Sequence, residues 1–140
     1  MKRHIAGTWR LKTWRRLAAD GTVSYPFGEA PRGILIYTRE GRMAVQMLTA
    51  GRPLIDTSDP LGGTVEARAA AYSTCLAYFG RYEVDGETVT HRVEASAFPN
   101  WSNTVQARPF VYDGRELVLQ VTAEDGRVTN EMVWERGGAE

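Results

Sequence analysis

The segment Arg81-Tyr-Glu-Val-Asp85-Gly86-Glu-Thr-Val-Thr-His91-Arg-Val-Glu-Ala95 decides the fold of this 140-residue chain. Apolar and polar residues alternate on both sides of Asp85-Gly86, which is typical of two antiparallel strands joined by a tight turn. Glycine adopts a positive φ without steric cost and aspartate tolerates it, so the chain can reverse within two residues. The segment therefore predicts a β-hairpin.

Three further Asp-Gly pairs separate alternating stretches, namely Asp20-Gly21, Asp113-Gly114 and Asp125-Gly126. Four reversals in one short chain indicate a meander of antiparallel strands. A meander leaves an exposed, aggregation-prone edge unless it closes on itself. We therefore predict an all-β fold, an eight-stranded antiparallel up-and-down β-barrel.

The alternating stretches place the eight strands at residues 7–18, 33–38, 42–49, 80–84, 87–96, 103–112, 115–123 and 127–136. Segment 64–79 differs, because it contains several alanines and neither glycine nor proline, which favours a helix. Thr64 is its expected N-cap, and Glu66 in the first turn suits the helix dipole. The expected apolar stripe plugs or flanks the barrel and consists of Val65, Ala69, Tyr72, Leu76 and Phe79. No repeat or linker divides residues 1–140, so we predict a single domain.

Charge and composition argue against several classes of protein. The chain has 17 Lys and Arg against 17 Asp and Glu, and a solvated strand face explains its basic cluster, Arg10 to Arg16, as well as nucleic acid does. No apolar run reaches the roughly 18 residues of a membrane helix, and no secretory signal is visible. We therefore expect a cytoplasmic protein that binds neither nucleic acid nor membrane. A homodimer is left open.

The connections predict which end of the barrel is open. The turns at 39–41, 85–86 and 113–114 are tight and lie at one end, whereas three long connections lie at the other. Long loops commonly carry function, so the long-loop end is the expected mouth. An eight-stranded barrel holds either packed side chains or one small ligand.

Strand alternation predicts which side chains point inward. The inward set is Tyr82, Val84, Val89, His91, Val93, Ala95, Leu117, Leu119, Val121, Val128, Asn130, Met132 and Trp134. Strand 103–112 leaves two alternatives. One face carries Val105, Ala107 and Val111, and the other carries Thr104, Gln106, Arg108 and Phe110.

His91 is the interior candidate for proton transfer near neutral pH, against the alternative of a hydrogen-bonded core histidine. Arg108, with Gln106, would stabilise a ligand oxyanion if that face turns inward, and would otherwise pair with a surface carboxylate. Tyr37, Tyr78 and Tyr82 are phenolic donors or packed aromatics. We therefore name His91, Arg108 and Tyr82 as candidate catalytic residues.

The candidate ligand-binding residues are Tyr37, Met47, Tyr78, Phe98, Trp101, Gln106 and Asn130. Phe98 and Trp101 lie on a loop at the expected mouth, and Met43, Val45 and Met47 are expected in the wall. Cys75 is the single cysteine, which excludes an intrachain disulfide. His4 and Glu94 cannot join His91 in a convincing ligand set, so we expect no metal and no cofactor.

Several motifs together resemble one family. They are Gly7-Thr8-Trp9, Tyr25-Pro26-Phe27-Gly28, the Gly33–Thr38 strand, Gly80-Arg-Tyr82, His91–Ser96, Phe98-Pro-Asn-Trp101 and Val133-Trp-Glu-Arg136. This pattern is similar to the lipocalin-like domain family of bacteria and fungi, and the Gly-x-Trp motif is the lipocalin signature. The resemblance implies a barrel whose closed end is sealed by Trp9, Trp134 and Arg136.

Two functions follow from these expectations. In the first, the barrel encloses a small apolar or aromatic molecule bearing an oxygen function and catalyses its cofactor-free isomerisation, cyclisation, elimination or hydration. Some lipocalin-like barrels act as cyclases or isomerases, so the resemblance allows this chemistry. In the second, the same barrel binds or carries the molecule without changing it. A third alternative, a barrel filled by its own side chains, predicts no cavity.

Overall fold

Antiparallel strands dominate the computed structural model, which describes residues 5–137. The strands are β1 (Gly7–Leu17), β2 (Val23–Ser24), β3 (Arg32–Tyr37), β4 (Arg42–Leu48), β5 (Cys75–Asp85), β6 (Thr88–Ser96), β7 (Thr104–Tyr112), β8 (Glu116–Thr122) and β9 (Val128–Arg136). One α-helix, α1 (Val65–Ser73), lies between β4 and β5, and a 3₁₀ turn (Pro99–Trp101) lies between β6 and β7.

Eight of these strands close into the predicted barrel. From β3 to β9 each strand pairs with the next along the chain, and β1 pairs with both β3 and β9. Trp9 shows the closure directly, because it lies opposite Leu35 on one side and Arg136 on the other. The short β2 pairs only with the end of β1.

The four Asp-Gly pairs form the predicted reversals. Their glycines all have positive φ, at Gly21 (89°), Gly86 (62°), Gly114 (97°) and Gly126 (87°). The carboxylate of Asp113 accepts hydrogen bonds from the backbone N–H groups of Arg115 and Glu116, at 2.8 Å each. Aspartate thus supplies the turn's acceptor and glycine its conformation.

The helix is shorter and more exposed than the sequence predicted. It begins after Thr64, whose hydroxyl accepts from the Ala67 backbone N–H at 3.0 Å, as expected of the N-cap. It ends at Ser73, and the expected stripe residues Leu76 and Phe79 lie in β5, which begins at Cys75. No residue of α1 is buried, and Val65 is 69% exposed. The helix therefore flanks the barrel and does not plug it, because strand pairing with β4 takes precedence over the alanine-rich propensity.

The described strands contain three register shifts, one of them between Val121 and Thr122, and those in β1 and β5 change which side chains point inward. The register of β1 against β9 shifts between Leu11 and Thr13, which turns Trp14 into the interior. A second shift lies between Phe79 and Gly80, and it places Ala95 opposite the exposed Phe79. The inward position predicted for Ala95 is therefore wrong. A Cβ at Gly80 would lie 2.0 Å from the Arg92 carbonyl oxygen, so this bulge requires glycine.

The tight-turn end is sealed as the resemblance implied. Trp9 and Trp134 are fully buried. The Arg136 guanidinium lies 4.2 Å from the Trp9 ring centroid and donates to the Ala6 carbonyl (2.7 Å) and to the Tyr112 hydroxyl (3.0 Å). The Trp9 indole donates to the Ile5 carbonyl at 2.9 Å.

The basic cluster on β1 is largely neutralised on the outer surface. Arg10 pairs with Glu135 at 3.0 Å, Lys12 with Glu116 at 2.6 Å, and Arg15 with Glu131. A solvated, paired strand face thus accounts for these residues, as the sequence allowed. Within residues 5–137 there is no helix of the length and apolarity that crossing a membrane requires.

Candidate functional site

A cavity of about 500 Å³ lies inside the barrel and is lined mainly by apolar and aromatic side chains. Its lining residues are Trp14, Arg16, Pro26, Phe27, Leu35, Val45, Met47, Tyr72, Ser73, Cys75, Leu76, Tyr78, His91, Phe98, Trp101, Arg108, Leu119, Val121, Asn130, Met132 and Trp134. Pro26, Phe27, Tyr72 and Phe98 come from the long connections and the helix. The cavity therefore reaches the long-loop end, where the mouth was predicted, and the barrel is not filled solid.

Strand β7 turns its polar face inward. Thr104, Gln106, Arg108 and Phe110 are half-buried, whereas Val105 and Val111 are exposed. Arg108 lines the cavity and donates through Nη2 to Gln106 Oε1 at 2.6 Å, while Nη1 reaches the Ala107 carbonyl at 3.3 Å. Of the two alternatives for strand 103–112, the structure therefore has the one in which the face with Arg108 points inward. The apolar Val105 and Val111 face solvent, contrary to what apolar content alone favours.

His91 is the centre of a buried hydrogen-bonded chain. It is 1% exposed, its Nε2 lies 2.6 Å from the Tyr37 hydroxyl, and its Nδ1 lies 2.7 Å from the Tyr78 hydroxyl. A neutral imidazole has one N–H donor and one acceptor, so one tyrosine donates to His91 and the other accepts from it. Tyr78 lines the cavity, whereas Tyr37 lies behind His91. The two hydrogen bonds therefore lead from the core to the cavity wall.

Burial sets the protonation of the three hydrogen-bonded groups Tyr37, His91 and Tyr78. Together with the charge of Arg108, a smaller contribution, it lowers the pKa of His91 to about 3. Burial also raises the pKa of Tyr78 to about 12 and holds the pKa of Tyr37 well above its ordinary value. All three groups are therefore neutral near neutral pH. The same burial lowers the pKa of Arg108, but its ordinary value is so high that it stays charged.

Two tryptophans contribute to the cavity in different ways. The Trp14 indole donates to Asn130 Oδ1 at 2.8 Å, so the oxygen of this candidate ligand-binding residue is already occupied. Trp134 lines the cavity, and its indole nitrogen is buried without a hydrogen-bond partner among residues 5–137. Trp134 therefore belongs both to the closed end and to the cavity, a double role that the sequence did not indicate.

The aromatic loop lies at the mouth as predicted. Trp101 packs edge-on against Tyr78, with ring centroids 5.8 Å apart, and against Phe98, at 5.5 Å. The Thr104 hydroxyl donates to the Trp101 carbonyl at 2.6 Å and holds the 3₁₀ turn. The loop thus connects the mouth to the Tyr78–His91 chain.

The predicted site residues divide into three groups: cavity-lining residues, residues that support them, and Tyr82. His91, Arg108, Tyr78, Met47, Phe98, Trp101 and Asn130 all line the cavity. Tyr37 and Gln106 support His91 and Arg108 from behind. Tyr82 lies towards the closed end, where its hydroxyl donates to the Thr38 carbonyl at 2.6 Å and its ring packs on Tyr37.

Sequence reasoning missed Trp14, Phe27 and Arg16 in the lining. The bulge in β1 reverses the side-chain parity after Leu11 and so turns Trp14 and Arg16 inward, and no residue pattern in the sequence indicates this bulge. Phe27 lies in the Tyr25-Pro26-Phe27-Gly28 motif and packs edge-on against Trp14 at 4.8 Å. That motif is the sequence signal that could have identified Phe27 as a lining residue.

Within residues 5–137, no three His, Cys, Asp or Glu side chains converge in a way that could hold a metal ion. His4 lies outside the described residues. The polar groups of the cavity are hydrogen-bond donors and neutral rings, which suit an organic ligand better than a cation.

Residues 6–137 match the family model described as a lipocalin-like domain. The chain belongs to this lipocalin-like domain family. A relative of the lipocalin-like barrel in Aspergillus oryzae is named a 4'-hydroxy-3'-methoxypropiophenone carrier protein. It is 36% identical over 85 residues, which make up 55% of this chain and 77% of the relative.

Solved structures agree with the lipocalin-like fold. A lipocalin-like protein from Bacteroides uniformis superposes with a TM-score of 0.53 at 12% identity, covering 96% of this chain and 99% of the other. An uncharacterised protein from Bacteroides eggerthii gives a TM-score of 0.50 at 11% identity, covering 94% and 98%. At these identities the likeness concerns the fold alone.

Proposed function

We propose that this barrel binds and carries a small, mostly apolar or aromatic molecule that bears an oxygen function. The observation that carries the proposal is the cavity of about 500 Å³, with aromatic walls and Arg108 among few polar groups. Pockets for small organic ligands are typically of this size and mostly apolar, with a few placed polar groups. The carrier name of the Aspergillus oryzae relative supports the same function.

Calorimetric titration with 4'-hydroxy-3'-methoxypropiophenone and a panel of other aryl ketones tests this proposal. The variant Val121→Trp fills part of the cavity that Arg108 also lines, and its matched control Val111→Trp adds the same ring on the exposed face of β7. We expect binding by the natural protein and the control, and a loss of about tenfold or more in Val121→Trp. The absence of binding to the whole panel, or equal binding by a folded Val121→Trp, would contradict the proposal.

The second candidate function is cofactor-free acid–base catalysis on the bound molecule. It is favoured by the Tyr37–His91–Tyr78 chain, which meets the cavity near Arg108. With a pKa near 3, His91 would relay a proton between its two nitrogens and would not store one, while Arg108 would stabilise an oxyanion. Tyr82 is not used here, because its hydroxyl is bonded to Thr38 on the closed side.

Recovery of the bound probe distinguishes the two functions. A carrier returns the molecule unchanged after prolonged incubation, as judged by mass spectrometry and proton NMR. An enzyme yields a product, and His91→Gln and Tyr78→Phe would abolish its formation while binding persists. A cytoplasmic location and a homodimer stay predictions, which cell fractionation and light scattering measure.

A further inference from the structure

Arg108 is a partly buried cation with no anionic partner among residues 5–137. It donates to the Gln106 amide oxygen and the Ala107 carbonyl, both neutral, and no Asp or Glu in this range forms an ion pair with it. Burying an uncompensated charge is costly, so such a group usually has a partner. The outer-surface arginines Arg10, Arg15 and Arg42 each have a carboxylate.

The titratable groups that face Arg108 cannot supply the missing charge. Burial raises the pKa of Tyr78 to about 12 and holds the pKa of Tyr37 well above its ordinary value, so both stay protonated. His91 is neutral or positive at every pH. No carboxylate lines the cavity within the described part of the chain, whereas Arg16 adds a second positive group to the lining.

Trp134 adds a second unsatisfied donor. The indole N–H can only donate, it is buried, and it has no acceptor within residues 5–137. A buried donor without a partner loses about 1–3 kcal/mol relative to its hydrated state. Trp134 lines the same cavity as Arg108, but its indole nitrogen is itself buried, so Arg108 is the group that a ligand in the cavity reaches.

We propose that the cavity takes its ligand as an oxyanion, a phenolate or carboxylate on an aromatic or apolar body, with Arg108 as its counter-charge. This inference rests on the proposed binding function and specifies its ligand class. A guanidinium and an oxyanion form a charge-assisted pair that is stronger than a neutral hydrogen bond. The bound acid is therefore stronger than the free acid.

The test uses two aromatic probes and their neutral counterparts. The phenol probe is 4'-hydroxy-3'-methoxypropiophenone, paired with its O-methyl ether, and the carboxylate probe is an acylbenzoate, paired with its methyl ester. Ionisation of the phenol moves its absorption to longer wavelength, so its bound pKa can be read directly from spectra. We expect the bound phenol to ionise about one pH unit or more below the free phenol, or the benzoate to bind about tenfold or more tighter than its ester.

Variants assign the effect to Arg108. Arg108→Met should abolish both preferences, and Arg108→Lys should retain part of them because it keeps the charge but not the guanidinium fork. Arg92→Met, on the exposed outer face, is the matched control and should change neither preference.

The outcomes separate this inference from the proposed function. If either probe shows an Arg108-dependent preference for its anion, the inference stands, and the responding probe identifies phenolate or carboxylate. If both probes bind with equal affinity as neutral and charged species, or if Arg108→Met leaves the preferences intact, the inference fails. Binding that is still lost in Val121→Trp would then leave the carrier function standing.

Discussion

Two arginines at opposite ends of the barrel have contrasting surroundings. Arg136 stacks on Trp9 at 4.2 Å and donates to the Ala6 carbonyl and the Tyr112 hydroxyl. Arg108 lines the cavity and donates to one amide and one carbonyl, and no carboxylate of residues 5–137 pairs with it. The first is satisfied by the protein itself, whereas the second is satisfied only in part.

The difference divides the barrel into a half that stabilises the fold and a half that serves the ligand. At the closed end, buried rings and hydrogen bonds contribute to folding. In the cavity half, apolar surface and hydrogen-bond donors stay accessible to a ligand. We expect this exposure to lower the free energy of unfolding. Four predictions test this division, from the largest expected effect to the smallest.

Trp9→Ala should be the most damaging change at the closed end. It removes a fully buried indole, its bond to the Ile5 carbonyl and the stacking surface of Arg136, so we expect a loss of about 3–5 kcal/mol in the free energy of unfolding. Urea denaturation measures it. Val105→Ala on the exposed face of β7 is the control, with a change within about 0.5 kcal/mol. A loss below about 1 kcal/mol at Trp9 would remove the basis for the comparison.

His91→Gln should make the protein less sensitive to acid. The folded-state pKa of His91 is about 3, below the unfolded value near 6.5, so between these values only the unfolded chain holds the extra proton. Native stability should therefore fall by about 1.4 kcal/mol per pH unit below pH ~6.5, or about 3 kcal/mol by pH ~4.5, and be unaffected above it.

The measurement for His91 is the slope of unfolding free energy against pH, compared between the natural protein and the variant. His91→Gln should lose this part of the slope even if its stability at neutral pH also changes. Equal slopes in the two proteins would show that His91 protonates normally in the fold.

Arg136→Met and Arg108→Met should change the free energy of unfolding differently. The first removes a cation–π contact and two hydrogen bonds, with an expected loss of about 1–3 kcal/mol. The second removes a partly buried charge that has no anionic partner in the described part of the chain, so the free energy of unfolding should be unchanged or slightly higher. Thermal unfolding of both variants without ligand measures the contrast. Equal losses would show that Arg108 is as structural as Arg136.

Thr64→Ala should have a small and local effect at the mouth. The Thr64 hydroxyl caps α1 at Ala67, and such a cap contributes about 1 kcal/mol to its helix. Because α1 buries none of its residues, amide exchange in 65–73 should accelerate about fivefold while the urea midpoint stays nearly constant. Thr122→Ala at the end of β8 is the control. A large shift of the midpoint would instead make the helix part of the cooperative core.

Local patterns predicted most of the barrel. Asp-Gly pairs and alternating residues placed seven of the eight closing strands closely, and parity turned His91, Leu119 and Trp134 inward. The start of β5 was missed because Cys75–Phe79 carries helix-compatible residues, and only pairing with β4 makes it a strand. Propensity is a weak signal beside a ladder of backbone hydrogen bonds.

The candidate site was predictable in its residue types but not in its connections. His91, Tyr78 and Arg108 were recognisable as chemistry-bearing residues of inward or undecided parity. Their grouping depends on cross-strand register. This register places Tyr78, which is 13 positions from His91 in the sequence, and Tyr37, which is 54 positions away, on either side of the His91 ring. No local pattern encodes such a distance.

The order of strands, the turns, the lipocalin-like motifs and the identity of the interior histidine were all determined by the sequence alone, because each depends on neighbours a few residues apart. Tertiary structure alone decided that β7 turns Arg108 inward, that a bulge in β1 brings Trp14 into the cavity, and that the Trp134 indole finds no acceptor within residues 5–137. The physical reason is that closure of the barrel sets register and parity collectively, and that burial, which gives these groups their chemistry, exists only once all eight strands have closed.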